Sequence, residues 1–411
     1  MSNWIKVKLG DIVELKRESY HPKPDEVLPY IGLEHIGQGT LRLISVGKSN
    51  EVTSTKSYFS KGDILFGKLR PYFRKVVRPK FNGVCSTDIL VLTNKNPRKF
   101  NQTFLFYLIA SQEMIDLATA SSSGTKMPRA DWKVLQNLEI SIPEDVNEQE
   151  RIGKILETID DKIDINIRMN KTLEEMAMTL YKHWFVDFGP FQDGEFVESE
   201  LGMIPKGWEI KKLSDIVEIR TTSINPSKTP GEFYYHYSIP AYDEGKLPSL
   251  NSAESIKSNK YLIETDTVLV SKLNPATPRI WTVYFKKELK NKQITSTEFI
   301  HYVPKQNINF AWLNCYLRSD DFQNEFKSNA TGTTHSRQRV SPKVTKNFLV
   351  VIPPFDVMAS FNNKVSSYFK LIDQNLKSIT LLSETRDYLI PRLLSGEIDV
   401  SKAEKQVEEV L

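Results

Sequence analysis

The chain has 411 residues, enough for two or three domains, and its 40% hydrophobic content is ordinary for a globular protein with its own core. A net charge of +4 is too small to argue for a polyanionic partner by itself. No run of 18 apolar residues occurs, and residues 1 to 10 contain no apolar leader core, so membrane spanning and secretion are not supported and a cytoplasmic location is expected. Two cysteines, Cys85 and Cys315, lack CxxC or Cys/His spacing; they are expected as buried thiols rather than as a disulfide or zinc site.

From the start, residues 4 to 15 (W-I-K-V-K-L-G-D-I-V-E-L) announce a duplication, because they return at 208 to 219 as W-E-I-K-K-L-S-D-I-V-E-I. Later echoes keep the same order: Lys68-Leu69-x-Pro71 with Lys272-Leu273-x-Pro275, Gly124-Thr125 and Arg129 with Gly332-Thr333 and Arg337, and Ile142-Pro143 with Ile352-Pro353. A unit of this length is a domain with its connector, not a solenoid repeat. Two similar but unequal copies point to a pseudo-twofold molecule reading a two-part target.

Within the first copy, residues 4 to about 143 read as short strands, among them Ile64-Leu65-Phe66 and Ile89 to Leu92, interrupted by one helix near 101–118. Residues 61–80 carry seven basic side chains (Lys61, Lys68, Arg70, Arg74, Lys75, Arg78, Lys80) against Asp63, with Tyr72 and Phe73 between them. The second copy, about 208 to 355, predicts strands near 267–271 and 348–352 and a helix near 310–327. Its segment 271–292 repeats the bias, with Lys272, Arg279, Lys286, Lys287, Lys290 and Lys292 interleaved with Trp281, Tyr284 and Phe285. A solvated strand face would explain either patch; its recurrence favours a surface that tracks phosphates.

After each module comes a long helical pattern, 148–186 and 357–395, without internal proline until Pro391. Leu156, Ile159, Ile163, Asn166, Asn170, Leu173, Ala177, Leu180 and Trp184 align with Val365, Tyr368, Ile372, Asn375, Ile379, Leu382, Arg386, Leu389 and Leu393. Alternating steps of three and four define a coiled-coil seam, and Asn166 and Asn375 occupy equivalent places where a buried amide fixes register; they are expected to be partners or near neighbours. Such stripes also occur on helices that merely cover their own domain. About 39 residues at about 1.5 Å each make a rod of about 58 Å, longer than one small domain needs, so an antiparallel pair with one module towards each end is expected.

Several motifs approach catalytic signatures and fail on a necessary residue. Gly62 to Leu69 nearly spells a phosphate loop, but Leu69 stands where a Ser or Thr must hold magnesium, and Ile64 to Phe66 read as a buried strand. Ile352-Pro353-Pro354-Phe355 has Ile where an amino-methyltransferase loop needs a polar residue, and no glycine-rich methyl-donor loop precedes it. Asp160-Asp161-Lys162 lies in a lysine-rich helix without a nuclease partner motif. The six histidines (His21, His35, His183, His236, His301, His335) are scattered, without metal-ligand or nucleophile-base spacing. No chemistry of the chain's own, and no metal, is expected.

Three connector stretches carry a resemblance: Trp184 to Phe188 (W-F-V-D-F), Ser199 to Glu209 with Gly202, Pro205, Gly207 and Trp208, and Arg392 to Ile398 (R-L-L-S-G-E-I). With the duplicated layout, they closely resemble the specificity subunit of type I restriction-modification systems, over the whole chain. The resemblance implies an α+β protein with two homologous target-recognition domains (1–146 and 204–355), a central helical spacer region (147–203) and a C-terminal helical region (356–411). The two long helices would form an antiparallel coiled coil. It also implies a noncatalytic DNA-binding subunit that works with two methyltransferase subunits and, in the full nuclease, restriction subunits. Those partners would bring S-adenosylmethionine, ATP and magnesium. Each domain would read one half of a bipartite, asymmetric sequence in double-stranded DNA.

Because recognition modules vary within this family, base contacts are inferred from the residues. The glycine-opened loops Gly124 to Arg129 and Gly332 to Arg339 hold side chains able to read base edges: Lys126, Arg129, His335, Arg337, Gln338 and Arg339, with the arginines suited to guanine and Gln338 to adenine. A salt-bridged surface loop is the competing reading. Lys68, Arg70, Arg74, Lys272 and Asn274 form the second set, expected at phosphates more often than at bases. The expected seam comprises Leu156, Ile159, Ile163, Asn166, Leu173, Leu180, Ile372, Asn375, Ile379, Leu382 and Leu389.

Overall fold

A computed structural model describes residues 3–122, 127–332 and 338–408. Its contacts divide the chain into two units that each take half of each long helix: Met1–Ile165 with Ser378–Leu411, and Asn166–Lys377. The linear boundaries drawn from the repeats therefore separate modules from helices, whereas the units join each module to the helix halves that cover it.

Both units are built to one plan. In the first, Trp4–Lys8 pairs with Glu139–Pro143 and brings the module's two ends together. A four-stranded sheet runs in the order Val13–Leu15, Ile89–Asn94, Ile64–Gly67, Val76–Val77. A five-stranded sheet runs Ser19–Tyr20, Lys56–Phe59, Gly83–Cys85, Pro29–Ile31, Gly47–Lys48. The second unit repeats this order strand for strand. Glu209–Lys212 pairs with Leu349–Ile352; the four-stranded sheet is Val217–Arg220, Phe299–Pro304, Thr267–Ser271, Ile280–Val283; the five-stranded sheet is Ser223–Ile224, Lys260–Leu262, Lys292–Ser296, Phe233–Tyr237, Ser249–Ser252. Even the one parallel pairing recurs, Pro29–Ile31 with Gly83–Cys85 and Phe233–Tyr237 with Lys292–Ser296. Ile64–Gly67 and Thr267–Ser271 are buried at every position, as continuous apolar runs covered on both faces must be.

The single helix expected near 101–118 is two, Gln102–Ile109 and Gln112–Ala120, and its counterpart is Phe310–Tyr316 and Asp320–Ser328. A serine makes the break in each copy: the Ser111 and Ser319 hydroxyls accept from the amides of Met114 and Phe322, starting a second helix where the apolar pattern alone reads through. Cys85 and Cys315 are free and buried, and burial pushes both thiols up to about 12.

The long helices are Val146–Phe185 and Phe355–Leu394, 40 residues and about 60 Å each. Of the residues expected in the seam, Leu156, Ile159, Ile163, Asn166, Leu173, Asn375, Ile379, Leu382 and Leu389 are buried, and Leu180 and Ile372 are partly so. In the second unit the helices run antiparallel: Asn375 Nδ2 donates to Asn170 Oδ1 at 2.8 Å, while the rings of Trp184 and Phe361 lie 5.9 Å apart further along. Asn170, an amide partner of Asn375, lies one turn beyond Asn166 on the same helix. No described helix is long and apolar enough to cross a membrane.

Both units tie module to helices with ion pairs, Lys246 to Glu174 and Lys286 to Asp373 in the second, but they differ in what is buried between them. In the first, Asp160 receives bonds from Arg42 (2.6 Å), Arg386 (2.8 Å) and the Tyr107 hydroxyl (2.7 Å), Arg42 also reaches Asp164 (2.6 Å), and Lys80 lies 3.2 Å from Asp161. Gly153 permits the close approach behind this network, since a Cβ there would stand 2.9 Å from the Phe104 amide nitrogen. In the second unit, Tyr181, Phe185 and Phe361 of the helices pack with Trp208 and Trp312 of the module in one apolar cluster.

Candidate DNA-recognition site

The two candidate surfaces are one structure built twice. Each begins where the central strand of a four-stranded sheet ends, in Lys68-Leu69-Arg70-Pro71 and Lys272-Leu273-Asn274-Pro275, with both prolines buried. The Lys68 amide donates to the Asp88 carbonyl at 3.0 Å and the Lys272 amide to that of Glu298 at 2.9 Å. On the other side, Ala130 N donates to Lys68 O and Val340 N to Lys272 O. Leu69 bridges Arg129 and Leu273 bridges Arg339, while the amides of Arg70 and Asn274 reach the carbonyls of Pro128 and Gln338 at 2.8 and 2.9 Å. Each strand-end loop is thus clasped by the loop that carries the candidate reading arginine.

Arg70 and Asn274 both take left-handed backbone, at φ 50° and 51°. Asn tolerates this conformation and Arg does so poorly, and such outliers persist where surrounding bonds over-determine them. Here the bonds to Pro128 and Gln338 do so.

Arg129 and Arg339 are half exposed, and each turns its guanidinium to a carboxylate: Arg129 Nε lies 3.4 Å from Asp88 Oδ1, and Arg339 Nε and Nη2 lie 3.1 and 3.4 Å from the Glu298 carboxylate. A serine sets each acid in place, since Asp88 N donates to Ser86 Oγ and Glu298 N to Ser296 Oγ, both at 3.2 Å. Sequence reasoning missed Asp88 and Glu298. The signal was the matched triplets Ser86-Thr87-Asp88 and Ser296-Thr297-Glu298, each just before an apolar strand.

Of the residues named from sequence, the clasps bring Lys68, Arg70 and Arg129 together in one unit and Lys272, Asn274, Gln338 and Arg339 in the other. Lys126, His335 and Arg337 lie outside the described residues, as do Gly124, Thr125 and Thr333. The structure places Arg339, rather than Arg337, opposite Arg129 in the duplicated bridge.

Arg74 belongs elsewhere. Its guanidinium donates to Ala110 O at 2.7 Å and to Asp387 at 3.1 Å, and burial, only partly offset by Asp387, lowers its pKa. Others of the basic run 61–80 are likewise engaged within the protein: Lys75 donates to Leu33 O and Arg78 to Thr103 and Glu157, while Lys80, though exposed, lies 3.2 Å from Asp161. In the second copy Arg279 pairs with Asp243 and Lys286 with Asp373. The basic bias reflects docking of modules onto acidic helix faces as much as an outward field.

A family model for the type I restriction modification DNA specificity domain matches residues 1–175 and 205–384. The chain belongs to that family. It is 28% identical to the type I restriction enzyme MjaIX specificity subunit of Methanocaldococcus jannaschii, over 75% of this chain and 74% of that one. To the HindI specificity subunit of Haemophilus influenzae it is 26% identical, over 97% of this chain and all of that one. The crystal structure of a type I restriction-modification S subunit from M. genitalium shares the fold, with a TM-score of 0.53 and 19% identity over 95% of this chain and 96% of that one. The chain is therefore a specificity subunit, a DNA-recognition component without catalysis of its own. Among the described residues no group of His, Cys, Asp and Glu is arranged to hold a metal ion.

Proposed function

We propose that the chain directs a type I methyltransferase and restriction complex to a bipartite, asymmetric sequence in double-stranded DNA, each module reading one half-site and the paired helices setting the spacer. The observation that carries this reading is the clasp, repeated bond for bond at the same point of two modules that differ in the residues they present, Arg70 in one and Asn274 in the other. Equal architecture with unequal side chains suits two half-sites of different sequence. Lys68, Lys272, Arg70 and Asn274 are suited to phosphates and Arg129, Gln338 and Arg339 to base edges, with Lys126, His335 and Arg337 proposed on sequence alone. Two modification subunits, and restriction subunits in the full nuclease, are the proposed protein partners; S-adenosylmethionine, ATP and magnesium belong to them, and the assembly works in the cytoplasm.

The test is a change of spacer. Inserting four residues near Thr172 adds about 6 Å to one helix, against about 3.4 Å per base pair of DNA. Methylome sequencing of cells carrying the insertion should show both half-sites kept and the spacer longer by about one or two base pairs. A seven-residue insertion preserves the heptad register and serves as a second variant. Variants that assemble and methylate with the parental spacer refute the ruler.

A further inference from the structure

We propose that Asp88 and Glu298 are positioning residues that aim Arg129 and Arg339 at a guanine, so that each half-site contains one G·C pair read by an arginine held by its carboxylate partner; this rests on the DNA-reading function proposed above. A guanidinium has two edges that matter here. The side edge presents Nε–H with one Nη hydrogen, and the end edge presents a hydrogen from each Nη.

Glu298 takes the side edge of Arg339, with Nε at 3.1 Å and Nη2 at 3.4 Å, and Asp88 stands at Nε of Arg129 at 3.4 Å. Among the described residues none takes Nη1 of either arginine, which leaves the end edge to an incoming partner. That edge has the spacing to reach O6 and N7 of guanine together, the commonest arginine contact in the major groove. Adenine would oppose its N6 hydrogens to the same donors, so the fork also rejects the other purine.

Three features make this more than a pair of surface ion pairs. Each arginine is half exposed while its acid is less so, at 49% against 32% for Arg129 and Asp88 and 50% against 28% for Arg339 and Glu298, so the carboxylate is the better shielded of the two. Each acid is fixed twice through its backbone, its amide to Ser86 or Ser296 and its carbonyl to Lys68 or Lys272. The arrangement also occurs in both units although Asp and Glu differ in length, which is what selection for the position of the carboxylate, rather than for one side chain, would leave. An exposed ion pair adds little to stability, but a preset fork loses less freedom when it meets a base.

The experiment uses the full chain assembled with its methyltransferase subunits and measures methylation rates on duplexes in which every base pair of both half-sites is varied singly. Arg339→Ala should reduce discrimination at one G·C pair of one half-site by roughly tenfold to a hundredfold, as expected for a bidentate base contact. Glu298→Ala and the shape-preserving Glu298→Gln should relax that same pair, by less, with the other half-site unchanged. Arg129→Ala and Asp88→Asn should do the same in the other half-site. If Arg339→Ala relaxes a pair and neither Glu298 variant does, positioning is refuted while the reading function stands. Relaxation at an A·T pair overturns the guanine assignment. Uniform loss on all duplexes makes the acids merely structural, and no change with either arginine variant removes these clasps from base reading altogether.

Discussion

The two units share a strand order and a clasp, yet they bury opposite chemistry at equivalent places on the long helices. When the helices are aligned so that Ile159 meets Tyr368, Asp160 falls on Phe369 and Arg386 on Ala177. In the first unit those positions hold an ion pair at 2.8 Å whose arginine side chain is 2% exposed; in the second they belong to an apolar cluster with Tyr181, Phe185, Trp312 and Phe361. Burial works against the charge of Arg386, but Asp160 and Asp387 outweigh it and its pKa is raised, while burial and then Asp160 push the Tyr107 hydroxyl well up. A buried pair adds little net stability over apolar packing but is costly to break by halves. At these two positions the duplication thus preserved the need to fill the space and left the means free, an ion pair in one copy and apolar packing in the other.

That contrast can be broken most directly at its centre. Asp160→Ala should cost about 3–5 kcal/mol in denaturant unfolding, because the buried Arg386 loses its nearer carboxylate and keeps only Asp387, which Arg74 also uses, and adding Arg386→Met should recover a large part of the loss. Phe361→Ala should cost a similar 3–5 kcal/mol through a cavity, and here no charge reversal or neutralisation elsewhere should help. Equal responses to the neutralising second substitution in both units would erase the distinction.

A smaller effect tests whether the ionic network is shared. Arg42→Gln removes one of the cations at Asp160 while Arg386 remains, so the loss should be about 1.5–3 kcal/mol. A loss as large as that of Asp160→Ala would make Arg42, not Arg386, the principal partner.

The last difference is one of pH. His301 faces Leu269 in its sheet, and Val91 faces Leu65 at the same point of the first unit. Burial depresses the His301 pKa to about 3, so the imidazole is neutral when folded and protonates near 6.5 when unfolded. Its contribution is complete well above pH 6.5 and is lost as pH falls towards 3, by about 1 kcal/mol between pH 6.5 and 5.5. Hydrogen exchange should show the strand Thr267–Ser271 opening more readily between pH 6.5 and 5.5, beyond any change in Ile64–Gly67, and His301→Val should abolish that excess. An unaltered difference would show that another group titrates there.

Duplication, strand runs, the two long helices and their seam were legible in the amino-acid sequence because each is local or periodic. Trp4 to Leu15 returns at Trp208 to Ile219, and an a/d pattern needs no partner to be seen. The absence of a magnesium-binding hydroxyl at Leu69 was equally a matter of reading one residue. Tertiary structure alone decided where the charges go. Arg70 and Arg74 are four residues apart in one basic run, yet one lies in the clasp and the other is spent on Ala110 and Asp387. It also decided that Asp88 and Glu298 pair with Arg129 and Arg339, across separations of 41 residues in each copy. Charge acts through space, so its meaning depends on which distant carboxylate the fold delivers, whereas hydrophobic periodicity is written along the chain itself.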